Sequence, residues 1–133
     1  MKKITLRESV RFHGHLGPYL VLGVLAGELA VKKLGCARFF GLKVKVYGAG
    51  KKPKSCLIDG LQLSTGATYG KGNIQKLNGP AIKMEFIRSS DNKSLSLELR
   101  GGLIKRLEEL KTHADSEAFA RQLYHAGYSG IFK

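Results

Sequence analysis

The chain has 133 residues, 43% of them hydrophobic, a length that predicts one domain over residues 1–133 with one sizeable core. Its 17 glycines, 3 prolines and 2 cysteines exclude collagen-like, disordered and disulfide-rich chains. A formal net charge of +13 indicates either an anionic partner or a lysine-rich solvated surface. The longest apolar stretch, residues 19–27, is far shorter than the roughly 20 residues of a membrane-spanning helix. We therefore expect a cytoplasmic protein with no membrane partner.

The positive charge is concentrated in the first half of the chain. Residues 1–56 carry 12 Lys and Arg against 2 Glu, whereas residues 57–133 carry 11 Lys and Arg against 8 Asp and Glu. An asymmetry of this kind is typical of proteins that bind nucleic acid, an acidic protein or an acidic small molecule, and it is also found on solvated surfaces.

Hydrophobic spacing and turn residues predict helices first, then a strand, a helix, two strands and two further helices. The predicted helices span 4–12, 17–34, 55–64, 103–110 and 116–124, and the predicted strands span 39–47, 81–88 and 95–100. Thr5 is a plausible N-cap, Gly35 and Gly127 are helix stops, and Asp115 or Ser116 can cap the last helix. The order predicts an α+β fold, a single compact domain with a mainly antiparallel sheet packed against helices.

The first candidate for chemistry is the pair His13 and His15, separated by Gly14 and followed by Leu16-Gly17-Pro18. The two imidazoles can converge only where the chain turns, which Gly14 and Gly17 permit. Neutral imidazole nitrogens suit Zn²⁺ and related ions. The alternative is one histidine bonded to the carbonyls of a helix end and a second on the surface.

The second candidate is Cys56, which follows Lys51, Lys52 and Lys54 in the first turn of a predicted helix. The positive helix end and the three lysines are expected to favour a thiolate, the form that attacks electrophiles and binds metals. Asp59 lies three residues on, and Gln62 another turn further, so the three side chains can line one wall of a pocket. The alternative is that Cys56, like Cys36, is a small buried hydrophobic residue.

The third candidate is the glycine-rich segment 65–73, which contains Thr65, Gly66, Thr68 and Lys71. It does not match a P-loop, because the glycine spacing is one residue short and Gly72 replaces the required Ser or Thr. Exposed amides, two hydroxyls and one lysine can still hold a carboxylate or phosphate. The alternative is a tight connection whose glycines serve only the backbone.

These segments together resemble the FmdE family, which takes its name from one component of molybdenum formylmethanofuran dehydrogenase. The family pattern joins a His-Gly-His-x-Cys-Pro-Gly segment, a Cys-x-x-Asp helix and a Thr-Gly-Cys-Thr-x-Gly-Lys-Gly-Asn loop. This chain has FHGHLGPYLVLG at 12–23 and CLIDGLQLSTGATYGKGN at 56–73, in the same order. Two family cysteines are replaced, one by Gly17 and one by Ala67, and the chain resembles a short form without the C-terminal zinc-binding extension.

The resemblance implies an intertwined homodimer with a metal or a reactive thiol in a pocket that these motifs build. Carried over by position, His13, His15 and Cys56 are the expected ligands of a divalent transition metal, with Zn²⁺ expected. Asp59 and Gln62 are expected beside Cys56 as catalytic or orienting groups. The resemblance does not extend to the molybdenum chemistry of the named enzyme, because that cofactor is held by other components of the complex.

The sequence thus predicts a small metal- or thiol-site protein that also binds an acidic small molecule or partner. Lys54, Thr65, Gly66, Thr68 and Lys71 are the expected contacts to that ligand. If the protein is an enzyme, the predicted chemistry is metal-assisted or thiolate attack on a small acidic molecule. The alternatives are a basic nucleic-acid-binding protein with a degenerate family pocket and an accessory subunit of a redox complex.

Overall fold

The computed structural model describes residues 3–128 and 130–133, and within them it forms an α+β domain of five helices and a four-stranded sheet. The predicted fold class is therefore confirmed. The helices are α1 (Leu6–His13), α2 (Pro18–Leu34), α3 (Cys56–Thr65), α4 (Gly101–Glu108) and α5 (His113–Ala126). The strands are β1 (Leu42–Tyr47), β2 (Ile74–Leu77), β3 (Lys83–Arg88) and β4 (Ser94–Glu98).

The sheet has the strand order β2-β1-β3-β4. Strands β3 and β4 form an antiparallel hairpin, and β1 pairs antiparallel with β3. Strand β2, which sequence spacing does not reveal, pairs parallel with β1, so the sheet is mixed. The glycine-rich segment therefore leads from α3 directly into the strand beside β1.

Three element ends bear on the sequence prediction. The first strand begins at Leu42 rather than residue 39, because Phe39 adopts a left-handed backbone with φ 72° that a strand does not use. Helix α5 is capped by Thr112, whose hydroxyl accepts from the amide of Asp115, so the prediction of Asp115 or Ser116 as the cap is wrong. Thr5 does cap α1, in a reciprocal capping box with Glu8, as its sequence predicts.

Helices α2 and α3 cross at glycines, and this crossing places the first turn of α3 beside the end of α1. A Cβ atom on Gly23 would lie 2.1 Å from the carbonyl oxygen of Leu57, and one on Gly60 would lie 2.1 Å from that of Leu20. No side chain fits in that space, so both positions require glycine. The close approach fixes the position of α3 relative to α2. It thereby fixes the position of the first turn of α3, which carries Cys56 and Asp59.

Most of α2 is buried, and its apolar residues share one core with the inward-facing side chains of the sheet, Val44, Val46, Met84 and Phe86. Within residues 3–128 and 130–133, no single helix is long and apolar enough to cross a membrane. The bent pair of α1 and α2, whose axes differ by 119°, reaches that length and hydropathy only as a pair.

Candidate metal centre

His13 and His15 lie on either side of a sharp turn at the end of α1. His13 is the last residue of that helix. Gly14 adopts φ 108°, a backbone conformation that residues other than glycine rarely adopt. The turn brings the two rings together, with centroids 4.6 Å apart and planes inclined by 52°. The predicted convergence of the two imidazoles is therefore present, while His113 and His125 are exposed on α5.

Cys56 completes a cluster with the two histidines. It is the first residue of α3, and one ligand atom from each of His13, His15 and Cys56 lies within 4.8 Å of the other two. A tetrahedral ion with bond lengths of 2.0–2.3 Å separates its ligand atoms by about 3.3–3.8 Å. Small side-chain rotations therefore suffice to bring these three atoms to bonding distance from one ion.

Asp59 holds the ring of His13 in one orientation. Its Oδ2 lies 2.6 Å from Nδ1 of His13, while Nε2 of the same ring is buried and has no hydrogen-bond partner within the described residues. A histidine that ligates a metal through one nitrogen commonly donates its other N–H to a carboxylate. The donor set and the unpartnered Nε2 therefore fit a transition metal that is bound by His13, His15 and Cys56.

Gln62 and Tyr69 extend this hydrogen-bonded chain along α3. The Gln62 amide lies 3.4 Å from Oδ1 of Asp59, and its Oε1 accepts from the backbone N–H of Tyr69 at 3.1 Å. Burial raises the pKa of the Tyr69 phenol, and the negative charge of Asp59 raises it further. Sequence reasoning missed Tyr69, because nothing in the spacing of the glycine-rich segment marks it as a neighbour of Asp59.

The pKa of the Cys56 thiol is shifted in the direction opposite to the one that the sequence predicts. Burial and the negative charge of Asp59 raise the pKa of Cys56, and Lys52 opposes them only in part. In the protein alone the site therefore favours the thiol, so the expectation of a thiolate made by the lysines is wrong. Lys51 and Lys52 are exposed and Lys54 is half-buried, which leaves the Lys charges more solvated than their sequence proximity suggests.

Many polar groups of the glycine-rich segment 65–73 form hydrogen bonds within the segment or to the helix before it. Thr65 is fully buried, and its hydroxyl donates to the carbonyl of Leu61 and accepts from the amide of Ala67. The ammonium of Lys71 donates to the carbonyl of Gly66 at 2.6 Å and lies 3.2 Å from the Thr68 hydroxyl. The contacts of Thr65 are local and structural, as expected of a tight connection. Thr68 and Lys71, in contrast, lie nearer to solvent.

The two positions where the resemblance to the family implies a cysteine, Gly17 and Ala67, have different surroundings. A Cβ atom added to Gly17 would lie 3.4 Å from the ring of His15, so this position adjoins the cluster. Ala67, in contrast, is completely buried within the hydrophobic core. A side chain at position 17 would therefore lie beside the His/Cys cluster.

The sequence of this chain matches the model of a known protein family. Residues 12–128 match the family model "FmdE, Molybdenum formylmethanofuran dehydrogenase operon", so this chain belongs to the FmdE family. It is also similar to the protein of Archaeoglobus fulgidus named "Probable S-adenosyl-L-methionine-binding protein", with 28% identity over 107 residues. That match covers 80% of this chain and 29% of the relative, so the chain spans less than a third of the relative's length.

Proposed function

We propose that this protein binds one divalent transition metal, with Zn²⁺ the expected ion, through Nε2 of His13, an imidazole nitrogen of His15 and Sγ of Cys56. The observation that carries the proposal is the His13 ring, because His13 belongs to the His/Cys cluster, its Nδ1 is bonded to Asp59, and its Nε2 is buried with no partner among the described residues. A buried nitrogen without a partner is costly in a folded protein. A metal ion removes that cost.

Three protein ligands leave one position of a tetrahedral ion for water or a ligand, as in catalytic zinc sites. When bound, the ion supplies Lewis acidity to whatever occupies that position. The chain itself supplies orientation, since Asp59 fixes His13 and Gln62 lies between Asp59 and the loop that carries Tyr69. We infer that the ligand of this site is a small acidic molecule, which the excess of lysine around residues 51–54 attracts.

Metal content and cobalt spectroscopy test the proposal. Purified wild-type protein is expected to hold close to one ion per chain, and a Co²⁺-loaded sample should show a thiolate-to-cobalt charge-transfer band. Cys56→Ser should lose the band and most of the metal, whereas Cys36→Ser is the matched control, since Cys36 lies outside the cluster. Equal, near-zero metal in wild-type and Cys56→Ser protein would refute the metal site.

The cobalt sample also tests the open position. A ligand that reaches the ion changes the cobalt spectrum, so inorganic phosphate, acetate and S-adenosyl-L-methionine can be compared in one titration. The last probe is included because the relative's name mentions it, and its amino and carboxylate groups can chelate an ion. A spectrum that neither phosphate nor acetate alters would refute a small acidic ligand of the types tested.

Two other functions that the sequence predicts stay predictions. Nucleic-acid binding through the basic first half requires an affinity that falls steeply with salt, because each phosphate contact releases counterions. A salt series with single-stranded and duplex probes measures this directly. An accessory role in a redox complex requires a partner that purifies with the chain at fixed stoichiometry.

A further inference from the structure

A second candidate binding site lies beside α2 and shares no residue with the His/Cys cluster. It is a cleft with a volume of about 610 Å³. Leu25, Glu28 and Lys32 line it from one face of α2, at intervals of three or four residues, and Gly35 lines it just beyond the end of that helix. Lys3, Val31, Cys36 and Tyr128 are among its other lining residues. Its volume falls within the roughly 300–1,000 Å³ typical of small-molecule sites.

Glu28 is the unusual residue of this cleft, because a carboxylate is rarely buried without full hydrogen bonding. Glu28 is 7% exposed, and its Oε2 accepts from the backbone N–H of Ile4 at 2.9 Å. Oε1 is buried and has no partner within residues 3–128 and 130–133. The carboxylate therefore retains the capacity to accept a hydrogen bond.

Two lysines line the same cleft without neutralising this carboxylate. Neither Lys3 nor Lys32 forms an ion pair with Glu28 among the described residues, although Lys32 lies one helical turn from it. The ammonium of Lys3 instead lies 4.6 Å from the centroid of the Tyr124 ring. The cleft thus presents one unsatisfied negative group and two positive groups that are not paired with it.

These groups match the chemistry of one ligand class. An ammonium group can donate to Glu28, and a carboxylate can accept from the two lysines. The apolar side chains of Leu25 and Val31 offer a surface for a hydrophobic group. We propose that this cleft binds an α-amino acid, or a derivative of one, that carries a large apolar side chain.

Cys36 provides a reporter for the proposal. It lines the cleft and is half-buried, and it is the sole thiol in a Cys56→Ser chain, because the protein has 2 cysteines. The rate at which iodoacetamide alkylates Cys36 can be measured with L-phenylalanine as the probe. The matched probes are 3-phenylpropanoate, which lacks the amino group, and 2-phenylethylamine, which lacks the carboxylate. Calorimetric titration of the same Cys56→Ser chain with L-phenylalanine gives a second measurement.

L-Phenylalanine is expected to slow alkylation and to bind in the titration. Each matched probe should bind about tenfold or more weakly, because it lacks one charge-assisted hydrogen bond. Glu28→Gln should lose the protection, whereas Lys111→Gln, which changes an exposed residue outside the cleft, should keep it.

Three outcomes would overturn the proposal: no protection and no binding by L-phenylalanine, equal effects of all three probes, or protection that survives Glu28→Gln. A fourth result would also overturn the proposal. If the alkylation of Cys36 becomes slower as the protein concentration rises, with no probe present, a second copy of the chain covers the cleft. None of these results depends on the proposed metal centre, because the alkylation and the titration both use a chain that lacks Cys56. Failure here therefore leaves the proposed metal centre to its own test.

Discussion

Nδ1 of His13 lies 2.6 Å from Oδ2 of Asp59, and this contact joins the end of α1 to the first turn of α3 across 46 residues of sequence. It determines which nitrogen of the ring is available. With the proton of the neutral ring on Nδ1 and donated to Asp59, the lone pair of Nε2 is directed away from the carboxylate. The other oxygen of Asp59 lies 3.4 Å from the Gln62 amide, which restrains the carboxylate in turn.

Replacement of Asp59 should therefore weaken metal binding without removing a ligand. In Asp59→Asn the side chain keeps its shape but loses its charge, so it orients His13 less firmly. We expect metal affinity to fall by about 10–100-fold, as is common when a carboxylate behind a ligating histidine is lost. Competition with a chromogenic chelator measures the change.

Asp115→Asn is the control for that experiment, because Asp115 is an exposed carboxylate in the first turn of α5. It should bind metal like the wild-type chain. If the two variants retain equal affinity, the His13–Asp59 contact serves the packing of α1 on α3 and not the metal.

A cysteine at position 17 should add a fourth ligand. Gly17 has φ −143°, which any residue can adopt, and its Cβ would make an ordinary contact of 3.4 Å with the His15 ring. Gly17→Cys should hold Zn²⁺ more tightly and give a stronger thiolate-to-cobalt band than the wild-type chain, since four protein ligands close the coordination sphere. Loss of the open position should also suppress the spectral response to added ligands.

Gly101→Cys is the control for added thiol, because a side chain at Gly101 would point into open space. Its cobalt spectrum should match that of wild type. A Gly17→Cys spectrum that is indistinguishable from this control would show that position 17 does not reach the ion.

The local pattern of the sequence was sufficient to single out the ligand residues, because each is marked by a feature that acts over a few residues. Gly14 permits the turn between the histidines, and the helix that starts at Cys56 places Asp59 three residues on. Neither feature requires knowledge of the tertiary structure. The meeting of His13 with Cys56 does require it, and there the ordered family motifs supplied what spacing alone could not.

Other parts of the structure depend on long-range contacts that no short pattern reports. Strand β2 is short, and it is a strand because it pairs with β1. Asn73 bridges segments 31 and 34 residues away, since its amide donates to the carbonyls of Leu42 and Phe39. The thiol chemistry of Cys56 was misjudged for a related reason, because burial by the rest of the fold outweighs the charge of nearby lysines.

The glycine crossing of α2 and α3 should be intolerant of even one methyl group. At Gly60 a Cβ would lie 2.1 Å from the carbonyl oxygen of Leu20, which is backbone in a packed helix that cannot move aside cheaply. Gly60→Ala should lower the free energy of unfolding by about 1–3 kcal/mol or more. It should also weaken metal binding, because Cys56 and Asp59 would shift with α3.

Gly102→Ala provides the opposite expectation from the same chemical change. Gly102 lies in α4, and a Cβ there meets nothing within 4 Å. Alanine in a helix is more favourable than glycine by roughly 0.5–1 kcal/mol, so this variant should be slightly more stable than wild type. Urea unfolding of both variants measures the contrast, and equal stability of the pair would contradict the close packing of α2 on α3.

Glu28 should make stability depend on pH in a direction opposite to that of a salt-bridged carboxylate. Burial raises the pKa of Glu28 above its ordinary value of 4.5, while the Ile4 amide, Lys3 and Arg38 lower it in part. The folded chain therefore binds this proton more tightly than the unfolded chain. The stability linked to that proton is fully present below about 4.5 and is lost as pH rises through the raised pKa.

Glu28→Gln removes the cost of ionising a buried carboxylate and keeps an oxygen that can accept from Ile4. The free energy of unfolding of Glu28→Gln minus that of wild type should be larger near pH 7 than near pH 4. The reason is that only the wild-type side chain ionises over that range. Urea unfolding at the two pH values measures the difference, with Glu117→Gln on the exposed face of α5 as the control. A Glu28→Gln difference that is the same at both pH values would mean that Glu28 ionises as freely in the folded chain as in the unfolded one. In that case Oε1 must find a partner that compensates for its burial.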